Sequence, residues 1–164
     1  MIARLVALRA VALALAGLVG CGSEADGSRA SLEDQVYDFE TGSQVSLASL
    51  TLEGRPTLLW FWAPWCEICN AEASTVKKLA RTAKERLRVV GVGGGRDSVK
   101  AGRDFLERHG LEAMSVVYDE PGRVWDGFGI GPQPAAVLLD RDAQELRRWQ
   151  GPFDPREVER LARQ

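Results

Sequence analysis

The stretch "WFWAPWCEICNAEA" (residues 60–73) decides the fold, because it joins the end of a strand to the start of a helix through two cysteines. The apolar run "TLLWFW" (residues 57–62) has glycine and proline before it and proline after it, as expected of a strand buried on both faces near the centre of a sheet. Cys66 and Cys69 follow, separated by two residues. Such a pair binds a metal ion, forms a structural disulfide or acts as a redox-active pair.

The position of Cys66 favours redox chemistry. It falls where the strand turns into the helix, so free backbone N–H groups and the helix dipole stabilise its thiolate and make it the expected nucleophile. Cys69 lies one turn along the same face, close enough to form a disulfide and to act as the resolving thiol. A structural disulfide that closes so short a loop would restrain little of the unfolded chain. A closed zinc site needs four ligands, and this chain offers two cysteines and the distant His109.

Strands and helices alternate along the rest of the chain. Two short runs predict an N-terminal hairpin with Gly42 in its turn. The helix after Cys66 carries apolar residues at helical spacing, with acidic residues early and basic residues late. The predicted strands are residues 35–39, 43–47, 57–62, 87–92, 115–119, 135–140 and 144–150, and the other helices are residues 98–109, 124–128 and a last helix opened by Asp154 and Pro155. This alternation predicts an α/β fold with a mixed central sheet flanked by helices.

Length and charge limit the function classes. The 164 residues, 45% hydrophobic and 27% charged, suit one globular domain, and three cysteines are too few for a disulfide-stapled scaffold. The formal net charge is −2, and without Arg4 and Arg9 the remaining 19 basic and 23 acidic groups give −4. Nucleic acid is therefore not an expected partner, because phosphate binding needs a basic surface.

The N-terminal segment predicts export and attachment to a membrane. Residues 1–20 contain two arginines and then an apolar run too short to span a bilayer, as in an export signal. The sequence "LVGC" ending at Cys21 resembles the lipobox of bacterial lipoproteins, which implies cleavage before Cys21 and a diacylglycerol on its sulfur. The alternatives are a signal peptide, or an uncleaved anchor, with an incidental cysteine. Residues 21–31 are predicted to be a flexible tether, and residues 32–164 the folded domain.

Two motifs carry a resemblance to a known family. "WCEIC" at a strand-to-helix turn, with "FGIGPQPAAVLLD" downstream, resembles thioredoxin-fold proteins of the TlpA, ResA and DsbE-like group, and "WCEICNAEA" with "QPA" is most similar to the secreted DsbE-like members. The resemblance covers residues 32–164 and implies a thioredoxin-like fold and thiol-disulfide oxidoreductase activity, with no cofactor or metal. Carried over onto this chain, Trp65 flanks the active site, Cys66 attacks, Cys69 resolves, and Pro134 is cis opposite the disulfide.

Pro134 would shape the substrate-binding surface. A cis X-Pro bond exposes the backbone of the preceding residue, Gln133, so that an extended substrate segment can pair with it like an added strand. Trp65, Ile68 and Pro132 would add an apolar rim suited to flexible, cysteine-containing segments. The alternative is a trans loop proline in a segment that also holds Pro132.

Two acidic residues bear on the direction of electron flow. Glu72 matches a family glutamate implicated in proton transfer near the disulfide, whereas its plain interpretation is a first-turn carboxylate that satisfies the helix dipole. Negative charge from Glu72 and Glu67 disfavours the Cys66 thiolate and stabilises the disulfide relative to the dithiol, which favours a reductase. Ile68 and Gln133 stand where many relatives have proline and threonine, so a thiol oxidase for exported proteins remains the alternative.

Other conspicuous residues are expected to be structural. Trp60, which replaces the buried aspartate of thioredoxins, and Trp62 are predicted to be core residues. His109 ends a helix, where the dipole favours histidine. A peroxiredoxin would require threonine where this chain has Ala63. The glycine-rich residues 91–98 lack the ending of a phosphate-binding loop and predict a plain turn with Asp97 or Ser98 as the helix N-cap.

The expected partners follow from the enzyme interpretation. They are cysteine-containing exported proteins, a membrane electron donor or acceptor of thiol-disulfide type, and the membrane itself through the lipid on Cys21. The protein would be an extracytoplasmic, membrane-anchored lipoprotein. The rival from another class is a copper-handling module that uses the two thiols as soft ligands. Such modules usually add a nearby histidine or methionine, and His109 and Met114 lie outside the cysteine motif.

Overall fold

The computed structural model describes residues 31–51, 54–95 and 97–164. The predictions for the export signal, for Cys21 and for the tether up to residue 30 lie outside these residues. The strands are β1 (Gln35–Asp38), β2 (Ser43–Ser46), β3 (Thr57–Trp62), β4 (Arg88–Gly93), β5 (Ser115–Tyr118), β6 (Ala135–Leu139) and β7 (Glu145–Gln150). The helices are α1 (Ala48–Thr51), α2 (Glu67–Thr82), α3 (Val99–His109), α4 (Arg123–Gly127) and α5 (Pro155–Leu161).

Within the described residues, the seven strands form one mixed sheet in the order β2-β1-β5-β4-β3-β6-β7. β3, β4 and β5 run parallel, whereas β1 pairs antiparallel with β5 and β6 pairs antiparallel with β3. The predicted mixed sheet and N-terminal hairpin are confirmed, and Gly42 has a φ of 70° in the turn between β1 and β2. β3 was predicted to be the central strand, but β4 is in the middle and β3 lies next to it.

β3 buries side chains on both faces of the sheet, as its continuous apolar sequence predicts. Leu58, Trp60 and Trp62 pack on one face in a core shared with residues of α2, α3 and α5. Leu59 and Phe61 pack on the other face with residues of α1 and α4. Helices therefore cover both faces, and the carboxyl end of β3 is held rigidly between two cores.

α2 is fixed against the sheet by one buried face. The buried residues recur at helical spacing and are Cys69, Glu72, Ala73, Val76 and Leu79. Because this face packs under β3, the first turn of α2 lies at the carboxyl end of that strand. Glu67 in the first turn and Arg81 in the last turn suit the helix dipole, as predicted.

The structure shows which of the two predicted residues, Asp97 or Ser98, caps the N-terminus of α3. Ser98 is the N-cap, since its Oγ accepts the N–H of Ala101 at 3.3 Å. Gly110 ends the helix with a φ of 62°, a conformation that glycine adopts without steric cost. α1 was not predicted, because four residues are too few to show a helical period.

Gly93, which ends β4, and Gly94, which follows it, have a packing role that the sequence did not reveal. A Cβ on Gly93 would lie 2.7 Å from a ring carbon of Trp62 and 2.8 Å from one of Tyr118. A Cβ on Gly94 would lie 2.5 Å from Nε1 of Trp125. Both positions therefore let aromatic rings on the two faces of the sheet approach the backbone.

We expect Gly93→Ala to lower the free energy of unfolding by about 1–3 kcal/mol, because the added methyl group overpacks a site between two buried rings. The measurement is chemical denaturation of the oxidised protein. Gly131→Ala is the matched control, since a Cβ there meets no atom within 4 Å, and its effect should stay within about 0.5 kcal/mol. Equal stabilities of the two variants would contradict this packing role.

Candidate active site

Cys66 and Cys69 lie where β3 gives way to α2, as predicted. Cys66 is the N-cap of α2, and its Sγ accepts the backbone N–H of Cys69 at 3.1 Å. The two Cα atoms are 5.2 Å apart and the sulfurs form a disulfide. When the disulfide is reduced, the same N–H group and the helix dipole are available to stabilise a thiolate on Cys66.

Both cysteines are buried, Cys69 completely and Cys66 with 6% of its surface exposed. The neighbouring side chains of Trp65 and Ile68 are 59% and 52% exposed, an unusual degree for large apolar residues. An exposed apolar surface therefore flanks the disulfide.

Trp65 lies beside the glycine loop that follows β4. A Cβ on Gly95 would be 3.6 Å from Nε1 of Trp65 and 3.7 Å from the Cβ of Ala63. The close approach positions the indole next to the cysteine turn while leaving most of its surface in solvent. Trp65 is thus exposed beside the cysteine turn, and its role in an apolar rim for substrate binding stays a prediction.

Pro134 immediately precedes β6, the strand that pairs with β3. The Gln133–Pro134 peptide bond is cis, which confirms the predicted geometry. Ala135, the next residue, pairs with Phe61 in the antiparallel β3–β6 ladder, so Pro134 lies at the level where β3 ends. Pro134 is buried and Gln133 is half-buried. Their contribution to substrate binding remains a prediction.

Glu72 is a buried carboxylate with two donors. Its Oε2 accepts the indole N–H of Trp60 at 2.8 Å, and its Oε1 accepts the backbone N–H of Phe153 at 3.0 Å. Burial raises the pKa of Glu72 above its usual range, and the two hydrogen bonds oppose that rise. As the sixth residue of α2, Glu72 is not the first-turn carboxylate of the plain interpretation. It shares the buried face of the helix with Cys69.

Asn70 and His109 are contacts of the site that the sequence analysis did not assign. Nε2 of His109 lies 2.8 Å from Oδ1 of Asn70, the residue after Cys69. The sequence offers no local signal for this contact, because 39 residues separate the two side chains. Trp60 and Trp62 are fully buried core residues, as predicted.

Among the described residues, no group of three or more histidine, cysteine, aspartate or glutamate side chains lies together in a geometry that could hold a metal ion. Cys66 and Cys69 are joined in a disulfide. Two cysteines placed in this way suit thiol-disulfide exchange, in which one sulfur reacts with the substrate and the other completes the reaction.

Comparison with known proteins agrees with this geometry. The AhpC/TSA family matches residues 30–147. The soluble secreted antigen MPT53 of Mycobacterium tuberculosis is 33% identical over 135 residues, which cover 81% of this chain and 75% of that protein. The thiol-disulfide oxidoreductase ResA of Halalkalibacterium halodurans is 28% identical over 159 residues, which cover 95% of this chain and 89% of that protein.

Two solved structures give the same fold. MTB DsbF, in its mixed oxidised and reduced forms, superposes with a TM-score of 0.71 at 31% identity, over 82% of this chain and 96% of that one. A secreted Mycobacterium tuberculosis disulfide oxidoreductase homologous to Escherichia coli DsbE superposes with a TM-score of 0.68 at 28% identity, over 82% of this chain and 98% of that one. The predicted thioredoxin-like fold is confirmed.

The raised pKa of Glu72 predicts a pH dependence of stability. The folded state holds a proton on Glu72 at pH values where the unfolded state has released it. The resulting contribution to the free energy of unfolding is complete below the ordinary carboxyl pKa and is lost as the pH rises through the raised pKa. Relative to Glu72→Gln, the wild-type oxidised protein should gain free energy of unfolding as the pH falls from 7 toward 4, by at most about 1.4 kcal/mol per pH unit.

Denaturation curves at each pH measure this difference. Glu85→Gln is the control for removing a carboxylate at an exposed position of the chain. A difference for Glu72→Gln that does not vary with pH would contradict the raised pKa of Glu72.

Proposed function

Since the chain belongs to the AhpC/TSA family and is a thioredoxin-fold thiol-disulfide oxidoreductase, we propose that it exchanges disulfides with exported proteins and that it preferentially reduces them. The observation that carries the proposal is the disulfide at the N-terminus of α2, with Cys69 fully buried, Cys66 6% exposed and the large apolar side chains of Trp65 and Ile68 exposed beside them. A purely structural disulfide would have no need of a helix N-terminus or of an exposed apolar rim.

In the proposed reduction, the Cys66 thiolate attacks one sulfur of a substrate disulfide. A mixed disulfide forms, and the second substrate sulfur leaves as a thiolate. Cys69 then loses its proton and attacks the Cys66 sulfur, which releases the first substrate sulfur and leaves the Cys66–Cys69 disulfide. Two electrons pass to the substrate, and a membrane thiol donor must supply two electrons and two protons to restore the dithiol.

Glu72 is proposed as the group that accepts the proton of Cys69. It lies three residues beyond Cys69 on the same buried face, where water has little access. A carboxylate whose pKa is raised by burial is a better proton acceptor than an exposed one. Its negative charge also disfavours a thiolate and stabilises the disulfide, which is the reason for favouring the reductase direction over the oxidase alternative.

The proposed substrate surface consists of Trp65, Ile68, Gln133 and Pro134. The first two are large apolar side chains exposed beside Cys66. The cis bond before Pro134 supports main-chain pairing between Gln133 and an extended substrate segment. Apolar contact and backbone pairing both tolerate varied sequences, so the substrates would be recognised as flexible segments around a cysteine.

The proposed organisation is an export signal at residues 1–20, a tether at residues 21–31 and the catalytic domain at residues 32–164. Support for an extracytoplasmic location comes from the relatives, one of which is named as a soluble secreted antigen. Anchoring through a lipid on Cys21 rests on the sequence "LVGC" alone. Among the described residues, no helix is long and apolar enough to cross a membrane.

A redox titration tests the function and its direction together. In the full-length chain with Cys21→Ser, Cys66 and Cys69 are the remaining thiols. We expect them to equilibrate with glutathione or dithiothreitol buffers at a reduction potential near or below about −250 mV, and Cys66→Ser to abolish the exchange. A potential above about −180 mV would make the protein an oxidase or isomerase. If no exchange occurs, Cys66 and Cys69 form a structural disulfide or bind copper.

The lipid anchor has its own test. Expressed in a bacterial host with a lipoprotein pathway, the wild-type chain should sediment with membranes and have the added mass of a diacylglycerol on Cys21. Cys21→Ala should lose that mass and move to the soluble fraction. Membrane association that persists in Cys21→Ala would identify an uncleaved N-terminal anchor instead.

A further inference from the structure

Asn70 connects the cysteine turn to a distant helix. Its Nδ2 donates to the carbonyl oxygen of Cys66 at 2.8 Å and more weakly to that of Pro64 at 3.4 Å. Its Oδ1 lies 2.8 Å from Nε2 of His109. Since both carbonyls can only accept, the amide nitrogen must face them and the amide oxygen must face the histidine. His109 therefore carries a hydrogen on Nε2 and donates it to Asn70.

His109 is itself held in place at the end of α3. Its ring packs against Phe105, with the ring centroids 4.5 Å apart, and its backbone carbonyl accepts a hydrogen bond from Nζ of Lys77 at 3.2 Å. Burial, and then the positive charges of Arg108 and Lys77, lower the pKa of His109. The neutral ring keeps its Nε2–H, so the hydrogen bond to Asn70 does not require a charged histidine.

The contact matters most when the disulfide is open. In the oxidised protein a covalent bond ties Cys66 to α2. In the dithiol that bond is absent, and the turn is held by its backbone hydrogen bonds and by the Asn70 side chain. The carbonyl of Cys66 accepts from Asn70 twice, from the backbone N–H at 3.0 Å and from Nδ2 at 2.8 Å. The Asn70 side chain thus adds a second link between the turn and the helix.

We propose that Asn70 and His109 are a positioning pair that holds the Pro64–Cys66 turn so that the Cys66 sulfur stays aligned with the Cys69 N–H in the reduced enzyme. The inference rests on the proposed function, because the alignment has a consequence only if Cys66 reacts as a thiolate. His109 acts through Asn70, and neither side chain needs to touch the substrate.

The test is the rate at which Cys66 of the reduced protein is alkylated by iodoacetamide at pH 7, since this rate follows the thiolate fraction. All variants are made in the full-length chain with Cys21→Ser. Asn70→Ala should slow alkylation about threefold or more, because the thiolate loses part of its alignment with the helix N-terminus. His109→Phe should slow alkylation by a smaller factor. His109→Gln, which keeps an N–H donor, should be alkylated faster than His109→Phe.

The double variant Asn70→Ala/His109→Phe decides whether the two residues act as one unit. Its rate should equal that of Asn70→Ala, because His109 has no path to Cys66 once Asn70 is gone. Lys78→Ala, on the exposed face of α2, is the control and should alkylate at the wild-type rate. Melting temperatures of the oxidised forms distinguish a change in reactivity from a loss of folded protein.

The outcomes separate this inference from the proposed function. If the parent protein exchanges with glutathione but Asn70→Ala and His109→Phe alkylate at its rate, the pair is a structural contact and the inference is wrong. Rates that multiply in the double variant would also overturn it, since they would show independent effects. If the parent protein itself does not exchange, the proposed function fails, and the inference fails with it.

Discussion

The site depends on one constraint, which is that Cys66 both ends the loop from β3 and caps α2. An N-cap side chain normally presents an oxygen to the free N–H groups of the first helical turn. Here a sulfur takes that place and accepts the N–H of Cys69 at 3.1 Å. A single backbone geometry therefore supplies a donor for the thiolate and brings the second cysteine within disulfide reach.

This geometry is maintained by packing that lies away from the cysteines. β3 is buried on both faces and α2 is pressed against the sheet along its apolar side, so neither element can shift relative to the other without opening a core. Gly93 and Gly94 allow the rings of Trp62 and Trp125 to close against the backbone of β4. The position of Cys66 thus depends on packing among residues away from the cysteine pair.

The elements that were predicted correctly are those with local signals. β3 is a continuous apolar run, α2 has a clear helical period, and α3 is delimited by Ser98 and Gly110. The placement of the cysteine pair followed from the same patterns, because a strand-to-helix turn is itself a local feature. α1 was missed since four residues contain barely one turn, and the order of strands in the sheet could not be obtained from the run of β3 alone.

The parts of the site that could not be predicted are set by tertiary contacts. The resemblance singled out Glu72, but no local signal predicts its hydrogen-bond partners, which are Trp60 in β3 and the backbone of Phe153, 81 residues further on. Thioredoxins have a buried aspartate where this chain has Trp60. In this chain the buried carboxylate lies on α2, and the strand supplies the indole N–H.

That exchange of positions has a physical consequence for proton transfer. Burial raises the pKa of Glu72 and its two N–H donors lower it, and burial has the larger effect. A carboxylate with a raised pKa binds a proton more readily than an exposed glutamate does. A buried thiol such as Cys69 can form a thiolate only if its proton has somewhere to go. In the proposed mechanism, the carboxylate of Glu72, one turn along the same helix face, would accept that proton without admitting water to the core.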